Sequence, residues 1–219
     1  MQSTTMSAPS STYSVKHRKI VAWRLLGLPN ASLMEALWPN ITVMQKAMVA
    51  ALFIVLTIGL AQARFYLPDN PIPITFQTFG ILLMGGVLGW RWGLVSVVGY
   101  YLLGMAGVPA FQGGNGGWQY VQGVTGGYLL GFVLAAGVVG FLAQRGWYRG
   151  RVLWPMLIAN LLLYLPALIW LSVLDFSWPA AGELFSGAVY PFIPGDLVKL
   201  ILASLVVGVG WRIVDIRDR

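Results

Sequence analysis

Six apolar runs, each near the length of a bilayer-spanning helix, constrain this chain more than any other feature. They cover approximately Ile41–Ala63, Pro73–Trp90, Gly93–Ala110, Gly126–Gln144, Val152–Leu174 and Pro191–Ile213. A helix needs about 17–25 predominantly apolar residues to cross a bilayer. Inside lipid every backbone N–H and C=O must be satisfied by the segment itself or its neighbours, which leaves helices or a closed barrel. Barrel strands are alternating segments of about ten residues, and these runs are longer and do not alternate. The fold class predicted is therefore an all-α integral membrane protein with six transmembrane helices. The second and third runs are short and read as joined by a tight turn at Arg91-Trp92. Charged residues make up 10% of the chain and mean hydropathy is +0.73, whereas soluble domains average about 25% charged.

Basic side chains set the orientation. With six spans both termini share one side, which receives Lys16, Arg18, Lys19, Arg24, Lys46, Arg91, Arg145, Arg149, Arg151, Arg212, Arg217 and Arg219. The opposite side receives only Arg64 and Lys199. The positive-inside rule then predicts cytoplasmic N- and C-termini. This asymmetry accounts for the net charge of +7 without any nucleic-acid partner. Three irregular connections fall on the external side: Arg64–Ile72, Phe111–Thr125 and Asp175–Tyr190. Residues 1–40 are expected to form a cytoplasmic tail, disordered over Met1–Ser14. Within it Val21–Trp38 reads equally as an amphipathic surface helix or a poorly ordered lead-in. Residues 41–213 form the membrane domain and 214–219 a short cytoplasmic tail.

Against this background two charges stand out. Asp196 and Lys199 interrupt the last apolar run in Phe192-Ile193-Pro194-Gly195-Asp196-Leu197-Val198-Lys199. Ionisable groups at membrane depth cost about 2.5–3.5 kcal/mol each on insertion scales. An i, i+3 spacing puts both on one helix face, where they can meet each other, a cavity or a ligand. The loop Phe111-Gln112-Gly113-Gly114-Asn115-Gly116-Gly117-Trp118 offers a second candidate. Its glycines, Gly114 and Gly116 among them, allow close backbone approach around the amide of Asn115. Phe111 and Trp118 supply apolar wall, the usual anatomy of a small-molecule pocket; a flexible surface turn is the competing reading. Tyr128, at the entrance of the fourth helix, and Gln77, at that of the second, face either the site or a neighbouring backbone. Gly127 and Gly131 form a GxxxG pair, a device for packing membrane helices. Ala47 and Ala51 make a small-xxx-small face on the first helix, which suits an internal contact better than a partner on spacing alone.

Several chemistries are poorly supplied. Cysteine is absent, so neither a disulfide framework nor a thiolate metal site is available, and the single histidine, His17, argues against a zinc or haem role. No Walker loop, His-Glu-x-x-His or carboxylate cluster occurs, and no Ser–His pair is available for a triad. An intramembrane enzyme using Asp196 as a base and a self-assembling channel are the alternatives from other classes.

In sequence order, Pro71-Ile72-Pro73-Ile74-Thr75-Phe76-Gln77-Thr78, Gly107-Val108-Pro109-Ala110-Phe111, Gly113-Gly114-Asn115-Gly116-Gly117, Thr125-Gly126-Gly127-Tyr128 and Phe192–Lys199 resemble the signatures of the BioY family. BioY proteins are substrate-specificity (S) subunits of energy-coupling-factor (ECF) transporters for biotin. The resemblance spans about Ile41–Arg212. It departs at Val124 and Trp90, where the family more often has proline.

The resemblance implies an N-in/C-in S-component of a bacterial cytoplasmic membrane, with no enzymatic activity and no cofactor. It implies biotin bound under the external loops, with Asn115, Asp196 and Lys199 as contacts. It also implies that Ala47 and Ala51 meet a membrane coupling subunit, energised by separate ATPase subunits. An S-component for another vitamin is the nearest alternative. Whether Lys199 meets the biotin carboxylate or pairs with Asp196, and whether the chain forms a homo-oligomer, stay open.

Overall fold

The computed structural model describes residues 31–148 and 151–219. The expected disordered tail, most of the surface-helix segment, His17 and Arg149 lie outside the described residues. Among the described residues five helices are long and apolar enough to cross a membrane: Val43–Gln62, Gln77–Met105, Gly126–Trp147, Leu153–Val173 and Leu184–Arg217. In finer terms the order is α1 (Leu33–Leu37), α2 (Val43–Gln62), β1 (Arg64–Phe65), β2 (Ile74–Thr75), α3 (Gln77–Met105), α4 (Trp118–Gln122), α5 (Gly126–Leu142), α6 (Leu153–Val173), α7 (Leu184–Ala188) and α8 (Ile193–Arg217). The strands form one short antiparallel ribbon, with Arg64 opposite Thr75.

The 29-residue α3 is not one rod. Gly89 has φ 75° and ψ 177°, a conformation that only glycine adopts without strain. The chain reverses there. A Cβ on Gly93 would lie 3.2 Å from the Met84 carbonyl oxygen, and Gln77 Nε2 lies 2.7 Å from the Tyr100 hydroxyl. In a straight helix those two side chains would be separated by about 1.5 Å per residue over 23 residues. The two halves are therefore an antiparallel hairpin. Its turn falls two residues before the expected Arg91-Trp92, because the reversal needs positive φ and glycine supplies it. The Gln144 side chain accepts from the Trp90 N–H at 3.1 Å, capping the second half.

Gly127 and Gly131 pack α5 against α6. A Cβ at Gly131 would sit 2.2 Å from the Leu163 carbonyl oxygen, and one at Gly127 would sit 2.7 Å from the Ala167 Cα. With backbone on the far side there is no flexible group to yield. Gly131→Ala is expected to destabilise the bundle by about 1–3 kcal/mol, the usual cost of overpacking. A lowered midpoint of detergent-solubilised thermal unfolding checks this, and an unchanged midpoint refutes it.

The packed unit begins at Ala31, ahead of the expected start at residue 41. Leu33 and Met34 are buried, and Leu33 packs against Gly210 of α8. Ser32 caps α1 through a capping box with Glu35. At the other end Arg217 donates to the Ala36 and Leu37 carbonyls at 2.7 and 2.9 Å, satisfying acceptors that a helix end leaves open. Glu35 also pairs with Lys46 of α2. Burial pushes the Glu35 carboxyl up, but hydrogen bonds from Lys46 and Ser32 outweigh it, and the net shift is below the ordinary 4.5. A depressed carboxyl stabilises above its unfolded value and loses that contribution as pH falls through the folded one. Acidification below about pH 4 is thus expected to loosen α1, while Glu35→Gln should remove that pH dependence. Limited proteolysis of the N-terminal side across a pH series reads both.

A candidate ligand-binding site between three connections

Three connections meet at one end of the bundle, and side chains tie them together. Gln62 donates to the Phe111 carbonyl at 3.2 Å, Tyr66 to Gln112 at 3.0 Å, Asn70 to the Gly187 carbonyl at 3.1 Å and Trp170 to the Gly123 carbonyl at 3.0 Å. Beneath them lies a cavity of about 60 Å³. Its walls come from the β2–α3 junction, α4, the first turns of α5, the middle of α6 and the first turns of α8.

The polar floor is built on Asp196 and Lys199, each 4% exposed. Lys199 Nζ lies 2.6 Å from Asp196 Oδ1 and donates to the Thr75 carbonyl at 3.2 Å. Asp196 Oδ2 accepts from Asn160 at 3.1 Å and from the Tyr164 hydroxyl. Three donors therefore converge on one carboxylate. A buried ion pair holds when its remaining lone pairs and protons are satisfied in this way. The i, i+3 spacing that makes the pair adjacent on α8 also aims it at α6, where Asn160 and Tyr164 stand one helical turn apart. Asn160 Oδ1 is buried without a hydrogen-bond partner.

The other predicted residues divide into two groups. Gln77 and Tyr128 line the cavity together with Asp196 and Lys199. Gln77 accepts from Thr75 Oγ1 at 2.9 Å and donates to Tyr100, whose hydroxyl in turn donates to the Ala110 carbonyl at 3.0 Å. This chain of bonds ties the helix entrance to the loop. Tyr128 donates to the Ala188 carbonyl at 2.6 Å and meets Tyr164 edge-on with ring centres 6.1 Å apart.

Of the glycine-rich loop, Gln112 lines the cavity, while the predicted residues Phe111, Gly114, Asn115, Gly116 and Trp118 lie outside its lining. Asn115 is exposed, and its amide donates back to the Gln112 carbonyl at 2.7 Å. Gly114 is exposed, Gly116 packs on the Val108 carbonyl, and Trp118 is 57% exposed. Phe111 is fully buried, stacked on Tyr120 and edge-on to Tyr100, so it pegs the loop down. Ala47 and Ala51 are exposed on α2, which is the least buried of the long helices.

Sequence reasoning missed Asn160, Tyr164 and Gln112, whereas Thr75 and Tyr120 were legible as polar and aromatic candidates beside the site. For Asn160 a signal existed: a carboxamide in the middle of an apolar span carries the same cost argument as Asp196. Thr75 also contributes its backbone carbonyl, for which side-chain type gives no cue.

The BioY family model matches residues 31–216. The chain belongs to the BioY family. Its membership extends through α1, which the motif resemblance did not reach. The BioY-family chain is 34% identical over 163 residues to the biotin transporter BioY of Thermotoga maritima, covering 74% of this chain and 94% of that one. It is 41% identical over 131 residues to a probable biotin transporter BioY of Methanothermobacter thermautotrophicus, covering 56% and 83% respectively. Its fold resembles the crystal structure of the S-component for biotin from an ECF-type ABC transporter, with a TM-score of 0.64 and 27% identity over 82% of this chain and 96% of that one.

Proposed function

We propose that this chain binds biotin and serves as the substrate-specificity subunit of an ECF-type transporter, carrying the vitamin across a bacterial cytoplasmic membrane without converting it chemically. The observation that carries the reading is the buried, hydrogen-bonded Asp196–Lys199 pair flanking a cavity with aromatic walls. Biotin's ureido ring presents two N–H donors and a carbonyl acceptor. Asp196 offers a carboxylate to the donors, and charge-assisted hydrogen bonds of this kind are the strong ones. The unpaired Asn160 Oδ1 is a further acceptor behind it. Tyr128 and Phe192 line the cavity and supply apolar surface for the sulfur-containing ring. Asn115, Gly114, Gly116 and Trp118 belong to the loop that folds over the bound vitamin, and Phe111 holds that loop down.

A ligand of biotin's size needs more room than about 60 Å³, so the connections must part to admit it. Six crossings follow if α2, the two halves of α3, α5, α6 and α8 each traverse the bilayer. Lys46, Arg91, Arg145, Arg151, Arg212, Arg217 and Arg219 then share the cytoplasmic side with both termini. Ala47 and Ala51, on the exposed face of α2, suit docking of a coupling subunit that links the chain to ATPases.

Purified chain is expected to carry biotin, detectable by mass spectrometry of the denatured extract, and to rebind it saturably after removal. Saturable binding of a different vitamin in competition with biotin would redirect the reading within transport. Failure to bind any such ligand would sink it.

A further inference from the structure

The site described above leaves the ligand's acidic tail without a partner. Lys199 is committed: its ammonium is 2.6 Å from Asp196 and bonded to the Thr75 carbonyl, deep in a pair of no net charge. The three connections around the cavity carry Asp69, Asp175 and Glu183, all exposed. An anion arriving at this end meets repulsion unless a cation with free donors stands at the entrance. In these connections the basic side chain is Arg64.

Its position fits that task. Arg64 pairs across the ribbon with Thr75, which lines the cavity. Its guanidinium lies against the glycine-rich loop, where a Cβ on Gly113 would be 2.0 Å from Nη1. Gly113 has φ 72°, so the loop both requires glycine there and opens the space the guanidinium fills. The guanidinium is also 5.9 Å from the centre of the Tyr66 ring, and Tyr66 donates to Gln112, a lining residue. Arg64 is exposed, and among the described residues no carboxylate lies within 4.0 Å of it. Its planar fork of N–H donors can therefore meet a carboxylate.

We propose that Arg64 forms the subsite for the ligand's carboxylate, selecting acidic ligands over neutral analogues while the Asp196–Lys199 pair takes the opposite end. The proposal rests on the biotin reading above. It divides the ligand between two loci: a buried, neutral-overall clamp for the ureido ring and a solvent-facing cation for the tail. It also assigns a role to the close approach of Gly113, since any larger residue would displace the guanidinium.

The test is a titration of the detergent-purified full chain with biotin and with biotin methyl ester, which differs in lacking the charge. The parent is expected to prefer the acid by about tenfold, the worth of one charge-assisted bond. Arg64→Gln should bring the acid down to the ester's affinity and leave the ester within about twofold of the parent, because surface substitutions away from a contact are nearly neutral. Arg64→Lys should retain part of the preference, since charge survives without the fork. Retained ester binding shows that the Gln variant is folded. If Arg64→Gln keeps the acid preference, or loses acid and ester alike, the subsite is wrong while the biotin reading stands. If the parent binds neither compound, the biotin reading falls and the subsite with it.

Discussion

Asp196→Asn is expected to weaken biotin binding by about 2–5 kcal/mol, roughly 30-fold or more in dissociation constant. Lys199, Asn160 and Tyr164 all direct donors at this carboxylate. A carboxamide keeps one acceptor oxygen and turns two donors of its own toward that crowd. It also removes the charge that strengthens any bond from the ureido N–H groups. The substitution therefore acts twice, on the ligand contact and on the geometry that presents it. Intrinsic fluorescence from the chain's 10 tryptophans gives both the titration and a check that the variant is folded. Parent-like affinity for biotin in a folded Asp196→Asn protein would remove Asp196 from the site. Asn160→Ala and Tyr164→Phe should show the same trend at smaller size, about 1.5–3 kcal/mol for a hydrogen bond to a charged group.

The second large effect is on stability. Lys199→Met leaves the buried Asp196 carboxyl without its countercharge and orphans the Thr75 carbonyl. Breaking one half of a buried pair costs about 3–5 kcal/mol, because the remaining charge is uncompensated. Neutralising both halves removes that penalty, so Asp196→Asn/Lys199→Met is expected to recover most of the loss. The double-mutant cycle isolates this coupling from the packing changes of each single substitution. Thermal unfolding followed by tryptophan fluorescence suits the measurement, since the chain has no cysteine for a thiol-reactive dye. Equal stability of Lys199→Met and the parent would mean that the pair is not an energetic unit. Recovery of stability in the double variant with no recovery of binding would separate the pair's structural role from its contact with ligand.

The positions of the long helices were legible because a bilayer offers the backbone no alternative partners. Apolar length alone then marks α2, α5 and α6 to within about two residues, the usual uncertainty of helix ends. The hairpin within α3 was legible as two short runs, but its turn was misplaced. Arg91-Trp92 is the polar interruption, whereas the reversal depends on positive φ at Gly89. The depth of α1 was not legible. Leu33 and Met34 look like one side of a surface helix until Gly210 and the Arg217 clamp are seen to receive them.

The same division runs through the candidate site. Charge cost and i, i+3 spacing along one helix single out Asp196 and Lys199 from the sequence alone, and a resemblance carried by five ordered motifs points to the family. Both depend on residues near one another in the chain or on pattern. The bond from Lys199 to the Thr75 carbonyl, the convergence of Asn160 and Tyr164 on Asp196, and the seat of Arg64 on Gly113 depend on which parts of the chain are brought together. Those contacts join residues separated by 32 to 124 positions. Only the packed fold decides them, because a local preference for helix says nothing about which neighbour will satisfy a buried charge.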